Sequence, residues 1–226
     1  SVSNIEAVDN VPGKTIRTVL LIRHPPVPAA WAARCYGQTD VALSSDWAED
    51  AAVNALLERA DGPGRASPIR IHTSPLSRCA RLAELLHGEL ARREVLAPSE
   101  RPRHDARLGE LDFGEWEGRR WADIRRDDID AWASDPAGFR PPGGETFTDL
   151  AERWHDFLRS LGTDDATEHW VVTHGGPIRA AVALALGGPL VVGARLSIAP
   201  LGTALIDYPG GADADSPLGI VRWVNR

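Results

Sequence analysis

Apolar and polar positions fall along this chain in blocks that predict strand, loop and helix in turn. Thr18-Val-Leu-Leu-Ile22 is a short apolar run that stops at the polar pair Arg23-His24, as expected of a strand buried on both faces. Ile69-Arg-Ile-His-Thr73 reads as a second strand, and Trp170-Val-Val-Thr173 as a third buried one ending at His174. Leu196 to Ile198, Thr203 to Tyr208 and Ile220 to Val224 read as late strands separated by Gly and Pro.

Helical spacing fills the intervals. Asp46 to Arg59 places Trp47, Ala51, Ala55 and Leu56 on a shared face before the breaker Asp61-Gly-Pro-Gly64. Pro75 opens a helix with Leu76, Ala80, Ala83 and Leu86 along one side. Glu145 to Leu161 has acidic residues near its start, which suits the helix dipole. Gly175-Gly-Pro177 starts an Ala- and Leu-rich helix reaching Leu186. The stretch from 98 to 142 is richer in Trp, Asp, Arg and Pro and reads as a less regular lobe over one end of the sheet, with a helix near Trp121 to Trp132.

Strand, loop and helix in repetition predict an α/β fold, a three-layer α/β/α sandwich with a mainly parallel sheet. Residues 1–17 read as a flexible polar tail and 18–226 as a single domain with the lobe inserted. In such sheets the site lies beyond the carboxyl ends of the strands. Arg23-His24, Ser74 to Arg78 and His174-Gly-Gly176 each follow a strand, so three separate segments converge on one rim.

Composition narrows the chemistry. A net charge of −7 argues against a general nucleic-acid surface, which needs a basic stripe. An anionic substrate must then be met by a local Arg cluster. No apolar run reaches the ~20 residues that span a bilayer, and residues 1–14 lack the pattern of a secretory signal. Two cysteines, Cys35 and Cys79, make no disulfide framework and no close pair for zinc, so small buried thiols in a reducing cytoplasm are expected. Neither a metal nor a cofactor is expected, and the sequence leaves the oligomeric state open.

The rim residues suit phosphoryl transfer, which needs positive charge at the phosphoryl oxygens, an in-line nucleophile and a proton for the leaving oxygen. Arg23 and Arg78 supply guanidinium forks that match phosphate. His174 adds a donor when protonated, and the helix after Gly175-Gly176 offers backbone N–H groups to an anion. A neutral imidazole at His24 can act as the nucleophile.

Four segments in order give the resemblance. Leu21-Ile-Arg-His24, Thr73-Ser-Pro-Leu-Ser-Arg78, Leu108-Gly-Glu-Leu-Asp-Phe-Gly-Glu-Trp-Glu-Gly118 and Val171-Val-Thr-His-Gly-Gly176 resemble the motifs of the histidine phosphatase superfamily, which includes the cofactor-dependent phosphoglycerate mutases. The resemblance implies a phosphoglycerate mutase-like fold and a metal-independent phosphoric monoester hydrolase working through a phosphohistidine. It also implies catalytic roles for His24, Glu110 and His174, with Glu110 as proton donor, and phosphate contacts from Arg23, Arg78 and Gly175.

Cys35-Tyr-Gly-Gln-Thr-Asp-Val41 and Asp112-Phe-Gly-Glu-Trp-Glu-Gly118 are most similar to the alpha-ribazole phosphatase branch, which acts in cobalamin assembly. That branch implies a small phosphate monoester as partner, with Tyr36, Gly37 and Trp116 as candidate substrate contacts. Two departures stand out. Pro25-Pro26 follows His24 where many members have Gly, and Val27-Pro-Ala-Ala30 replaces a region that often carries Asn. The alternatives are a broad-specificity small-molecule phosphatase, a phosphoglycerate mutase, or a non-catalytic phospholigand-binding module. A phosphoglycerate site should need cations beyond Arg23 and Arg78, whereas the rim segments offer Tyr36, Phe113 and Trp116.

Overall fold

A computed structural model of the chain describes residues 16–60, 68–163, 166–209 and 216–226. Residues 1–15 and the breaker assigned to Asp61-Gly-Pro-Gly64 lie outside them. The strands are β1 (Ile16–Arg23), β2 (Ile69–Thr73), β3 (Arg103–His104), β4 (Glu168–Thr173), β5 (Thr203–Pro209) and β6 (Ile220–Val224). The α-helices are α1 (Glu49–Ala60), α2 (Ser77–Arg92), α3 (Arg126–Ser134), α4 (Phe147–Ser160) and α5 (Gly175–Ala185). Ile16 and Arg17, read from the sequence as tail, pair with Pro209 and Tyr208 of β5.

The strands form one sheet in the order β3-β2-β4-β1-β5-β6. β1 and β2 both run parallel to β4, and β3 runs parallel to β2. β5 and β6 add two antiparallel pairings at the other end. Side chains alternate across each strand. Val19 and Leu21 of β1 pack with Trp154, Phe157, Ile178 and Val182 of α4 and α5. Leu20 and Ile22 face the opposite way, onto Leu56, Leu57, Leu82 and Leu86 of α1 and α2. Helices therefore cover both faces and the architecture is the expected three-layer α/β/α sandwich.

Some elements differ from the sequence reading. Leu196 to Ile198 is not a strand; it follows a 3-10 turn over Leu190–Arg195. Its carbonyls are taken by side chains rather than a ladder, Leu196 O by Arg179 Nε at 2.8 Å and Ile198 O by Arg23 Nη1. The helix expected near Trp121 to Trp132 splits into a 3-10 turn at Trp121–Asp123 and α3. The two-residue strand β3 carries no periodicity to read. Thr146, as a helix start implies, caps α4 in a capping box with Asp149.

Candidate active site

Parallel pairing sets β1, β2 and β4 side by side with their carboxyl ends at the same edge. His24 follows β1, and its backbone N–H donates to Thr173 O at 3.0 Å, which ties it to the end of β4. Its ring Nδ1 lies 2.6 Å from the carbonyl of Pro25. A carbonyl only accepts, so Nδ1 carries the proton and Nε2 keeps a free lone pair. Burial, and then the positive charges of Arg78 and Arg23, lower the His24 pKa from 6.5 to about 3. The imidazole is therefore neutral and nucleophilic at neutral pH.

Behind it, His174 caps the start of α5 with its ring 5.2 Å from that of His24. Arg78 Nε donates to His174 Nδ1 at 3.3 Å, which leaves Nε2–H to donate to Ser74 Oγ at 2.9 Å. Burial foremost, with cationic neighbours, pushes the His174 pKa well below its usual value. The ring is thus held neutral, and its donor N–H points to Ser74, unlike the protonated donor expected from the sequence.

Arg78 is also committed to the protein. Nη1 donates to Thr39 O at 2.8 Å and Nη2 to Gly37 O at 2.6 Å, with its carbon 5.5 Å from the Tyr36 ring centroid. Arg78 thereby fixes the 36–39 loop and charges the surroundings of His24. Arg23 is different. Its Nη1 holds the Ile198 carbonyl, but its buried Nε has no partner, a donor that an oxyanion would satisfy.

Glu110 stands opposite. Its two carboxylate oxygens accept from Gly176 N–H at 3.0 and 3.2 Å, and Oε1 also accepts from Leu111 N–H at 3.0 Å. The Gly176 N–H, expected to be open to a ligand, is thus occupied by the protein's own carboxylate. A Cβ at Gly176 would stand 2.1 Å from Glu110 Oε1, so only glycine admits this approach. Gly175 sits beside Arg23 and Glu110.

Arg23, His24, Arg34, Tyr36, Gly37 and Glu110 open onto one cavity of about 240 Å³, which Phe113 and Trp121 also line. Arg78 and His174, both fully buried, lie behind it. Glu117 accepts from Gln38 N–H at 2.8 Å and Phe113 N–H at 3.1 Å, joining the 36–39 loop to the motif at 108–118. A Cβ at Gly37 would meet Leu111 O at 1.8 Å, so that junction requires glycine.

Trp116 requires a correction. It is 1% exposed and packs with Cys35 and Ile124, its ring stacked on Phe139 at 5.6 Å. It belongs to the lobe's core and cannot meet a substrate. Trp121, read from the sequence only as the start of a lobe helix, lines the cavity instead. The expected shortage of cations is corrected too, since Arg34 lines this cavity and Arg179 an adjoining one. Cys35 and Cys79 are buried free thiols, with burial pushing the Cys35 pKa up to about 12.

The sequence profile described as Histidine phosphatase superfamily (branch 1) matches residues 19–214. The chain belongs to this superfamily. Over 217 residues it is 30% identical to a bifunctional protein of Mycobacterium tuberculosis, covering 92% of this chain and 53% of that protein. The chain thus spans about half the length of the curated relatives it matches. Mycobacterial glucosyl-3-phosphoglycerate phosphatase has a similar structure, with a TM-score of 0.75 and 26% identity over 93% of this chain and 99% of that one. A candidate alpha-ribazole-5′-P phosphatase of Escherichia coli K-12 shares the fold at a TM-score of 0.72 and 22% identity, over 93% and 96% of the two chains. Phosphoric monoester hydrolysis, expected from the sequence, is thus the class to which these neighbours point. No described helix is long and apolar enough to cross a membrane.

Proposed function

We propose that this histidine phosphatase domain hydrolyses small phosphate monoesters through a phosphohistidine at His24. The observation that carries the reading is the His24 ring itself. Its Nδ1 proton is held by Pro25 O at 2.6 Å, and its Nε2 lone pair is kept available by a pKa lowered to about 3. Nε2 attacks phosphorus as the ester P–O bond breaks, and Glu110 gives its proton to the departing oxygen. Water then attacks the phosphohistidine, Glu110 takes back a proton, and phosphate leaves. Arg23, with its unpartnered Nε, neutralises the phosphoryl oxygens, assisted by the charge of Arg78 and the start of α5 at Gly175, while the neutral His174 ring, its N–H on Ser74, holds Arg78 Nε in place. The Pro25 carbonyl orients the nucleophile at the position where many members carry Gly. Arg34, in the wall of the same cavity, supplies a further cation. Among the described residues, no three His, Cys, Asp or Glu side chains converge as a metal site.

The finer substrate reading is alpha-ribazole 5′-phosphate. The motif resemblance supports it, as does the aromatic lining by Tyr36, Phe113 and Trp121, which suits a flat nucleoside. A non-catalytic module is disfavoured by the presence of both His24 and Glu110. Acid-labile, base-stable labelling of His24 by radiolabelled substrate, in the presence of chelator, tests the mechanism. Wild type should trap label and turn over. His24→Ala should do neither, and activity above about one part in a thousand in that variant would refute covalent catalysis there. Turnover over Michaelis constant for alpha-ribazole 5′-phosphate against 3-phosphoglycerate tests the substrate, and preference for the latter rejects the ribazole reading.

A further inference from the structure

A second cavity, of about 200 Å³, adjoins the first and shares Glu110, Phe113 and Trp121 with it. Phosphate held at His24 would leave its ester oxygen near Glu110, so the alcohol part has this second space to enter. Its walls are apolar and flat, with Phe113 edge-on to both Trp121 (5.6 Å) and Trp132 (5.9 Å), and Trp121 and Trp132 stacked at 5.6 Å. One cation stands among them. Arg179, on α5, lines the same cavity.

The surroundings of Arg179 do not explain its charge. Its Nε donates to Leu196 O at 2.8 Å, which fixes the plane of the guanidinium. Neither terminal nitrogen has a partner among the described residues. Glu110 is the acid in the cavity wall, but its oxygens are turned to the Gly176 and Leu111 N–H groups. A fixed guanidinium with its fork unfilled, facing an aromatic-lined cavity, is built for a planar oxyanion.

We propose that this cavity is the leaving-group subsite and that it takes phosphomonoesters whose alcohol part has a flat apolar middle and an acidic far end, a carboxylate or second phosphate, bound by Arg179. The inference rests on the phosphatase reading of His24. It does not rest on the ribazole reading, whose base carries no acid, and a positive result would replace that reading.

A matched pair tests it: benzyl phosphate and 4-carboxybenzyl phosphate, compared by kcat/KM, with a 4-(2-carboxyethyl)benzyl phosphate to allow for reach. In wild type at least one carboxylate compound should exceed benzyl phosphate by about ten- to hundredfold, the worth of a charge-assisted contact, mainly through KM. In Arg179→Gln that ratio should fall to about one, and Arg179→Lys should restore part of it. A wild-type ratio near one, or a ratio that survives in Arg179→Gln, overturns the subsite while benzyl phosphate turnover leaves the phosphatase reading intact. Absence of turnover and of phosphohistidine on every compound overturns both.

Discussion

Arg153 of α4 donates through Nη2 to the backbone carbonyl of Glu110 at 2.9 Å. Its Nη1 holds the carbonyls of Arg107 and Gly109 at 2.6 and 2.8 Å, and Nη2 also pairs with Glu145 at 2.6 Å. Glu145 in turn accepts from Asp112 N–H at 3.0 Å. A single guanidinium, fixed by its own carboxylate, thus clasps the irregular segment that carries Glu110. The carboxylate of a loop residue must be placed to within a fraction of an ångström to move a proton.

Arg153→Met should therefore act as a positioning variant. It should lower kcat on alkyl phosphates by about ten- to hundredfold while leaving His24 phosphorylation by a nitrophenyl ester much less affected. Stopped-flow comparison of the two substrates reads this. An equal loss on both would mean that Arg153 supports the fold and not the proton transfer.

Glu110→Gln keeps an oxygen for the Gly176 N–H but loses the exchangeable proton. Loss on alkyl phosphates should reach about 10²- to 10⁴-fold, with a much smaller loss on nitrophenyl phosphate, whose oxide leaves without help. Equal losses would move the acid elsewhere, with Asp112 and Glu115 next to be tested.

The buried histidines set a pH dependence of stability. The folded chain holds His24 at about 3, and His174 well below 6.5, whereas the unfolded chain takes up those protons near 6.5. The folded state binds fewer protons in that window. Their contribution is fully present above pH 6.5 and is lost as pH falls from there toward 3, with a slope of up to about 1.4 kcal/mol per pH unit for each histidine. Urea unfolding at pH 7.5, 6 and 5 should show this decline, and His24→Asn should flatten it. The same slope in the variant would show that His24 titrates normally.

Trp116 and Trp121 should separate cleanly. Trp116→Ala removes a fully packed core side chain and should destabilise by about 3–5 kcal/mol, with little effect on KM in the folded fraction. Trp121→Ala should raise KM for 1-naphthyl phosphate by about ten- to hundredfold, the range for aromatic stacking. Thermal denaturation and steady-state kinetics decide between them. A stable Trp116→Ala with raised KM would contradict the packing described.

The sequence by itself determined the layered fold and the rim. Strands buried on both faces are largely apolar, so β1 and the core of β4 stand out against the polar residues that follow them, while β2 is read from Ile69 and Ile71 alternating with Arg70 and His72. Sheet chemistry then puts Arg23-His24, Arg78 and His174 at one edge. What only the tertiary structure decided is which neighbours each side chain meets. Trp116 and Trp121 are five positions apart in one aromatic-rich lobe, and nothing local tells which will fill the space beside Cys35 and Phe139 and which will face the cleft. The proton of His24 is placed by a carbonyl, and that of His174 by Arg78 from another segment. Arg179 resembles any helix arginine until the turn at Leu190–Arg195 folds back and holds it over a cavity. Burial, tautomer and the orientation of a guanidinium depend on contacts between distant segments, and periodicity along the chain carries no record of them.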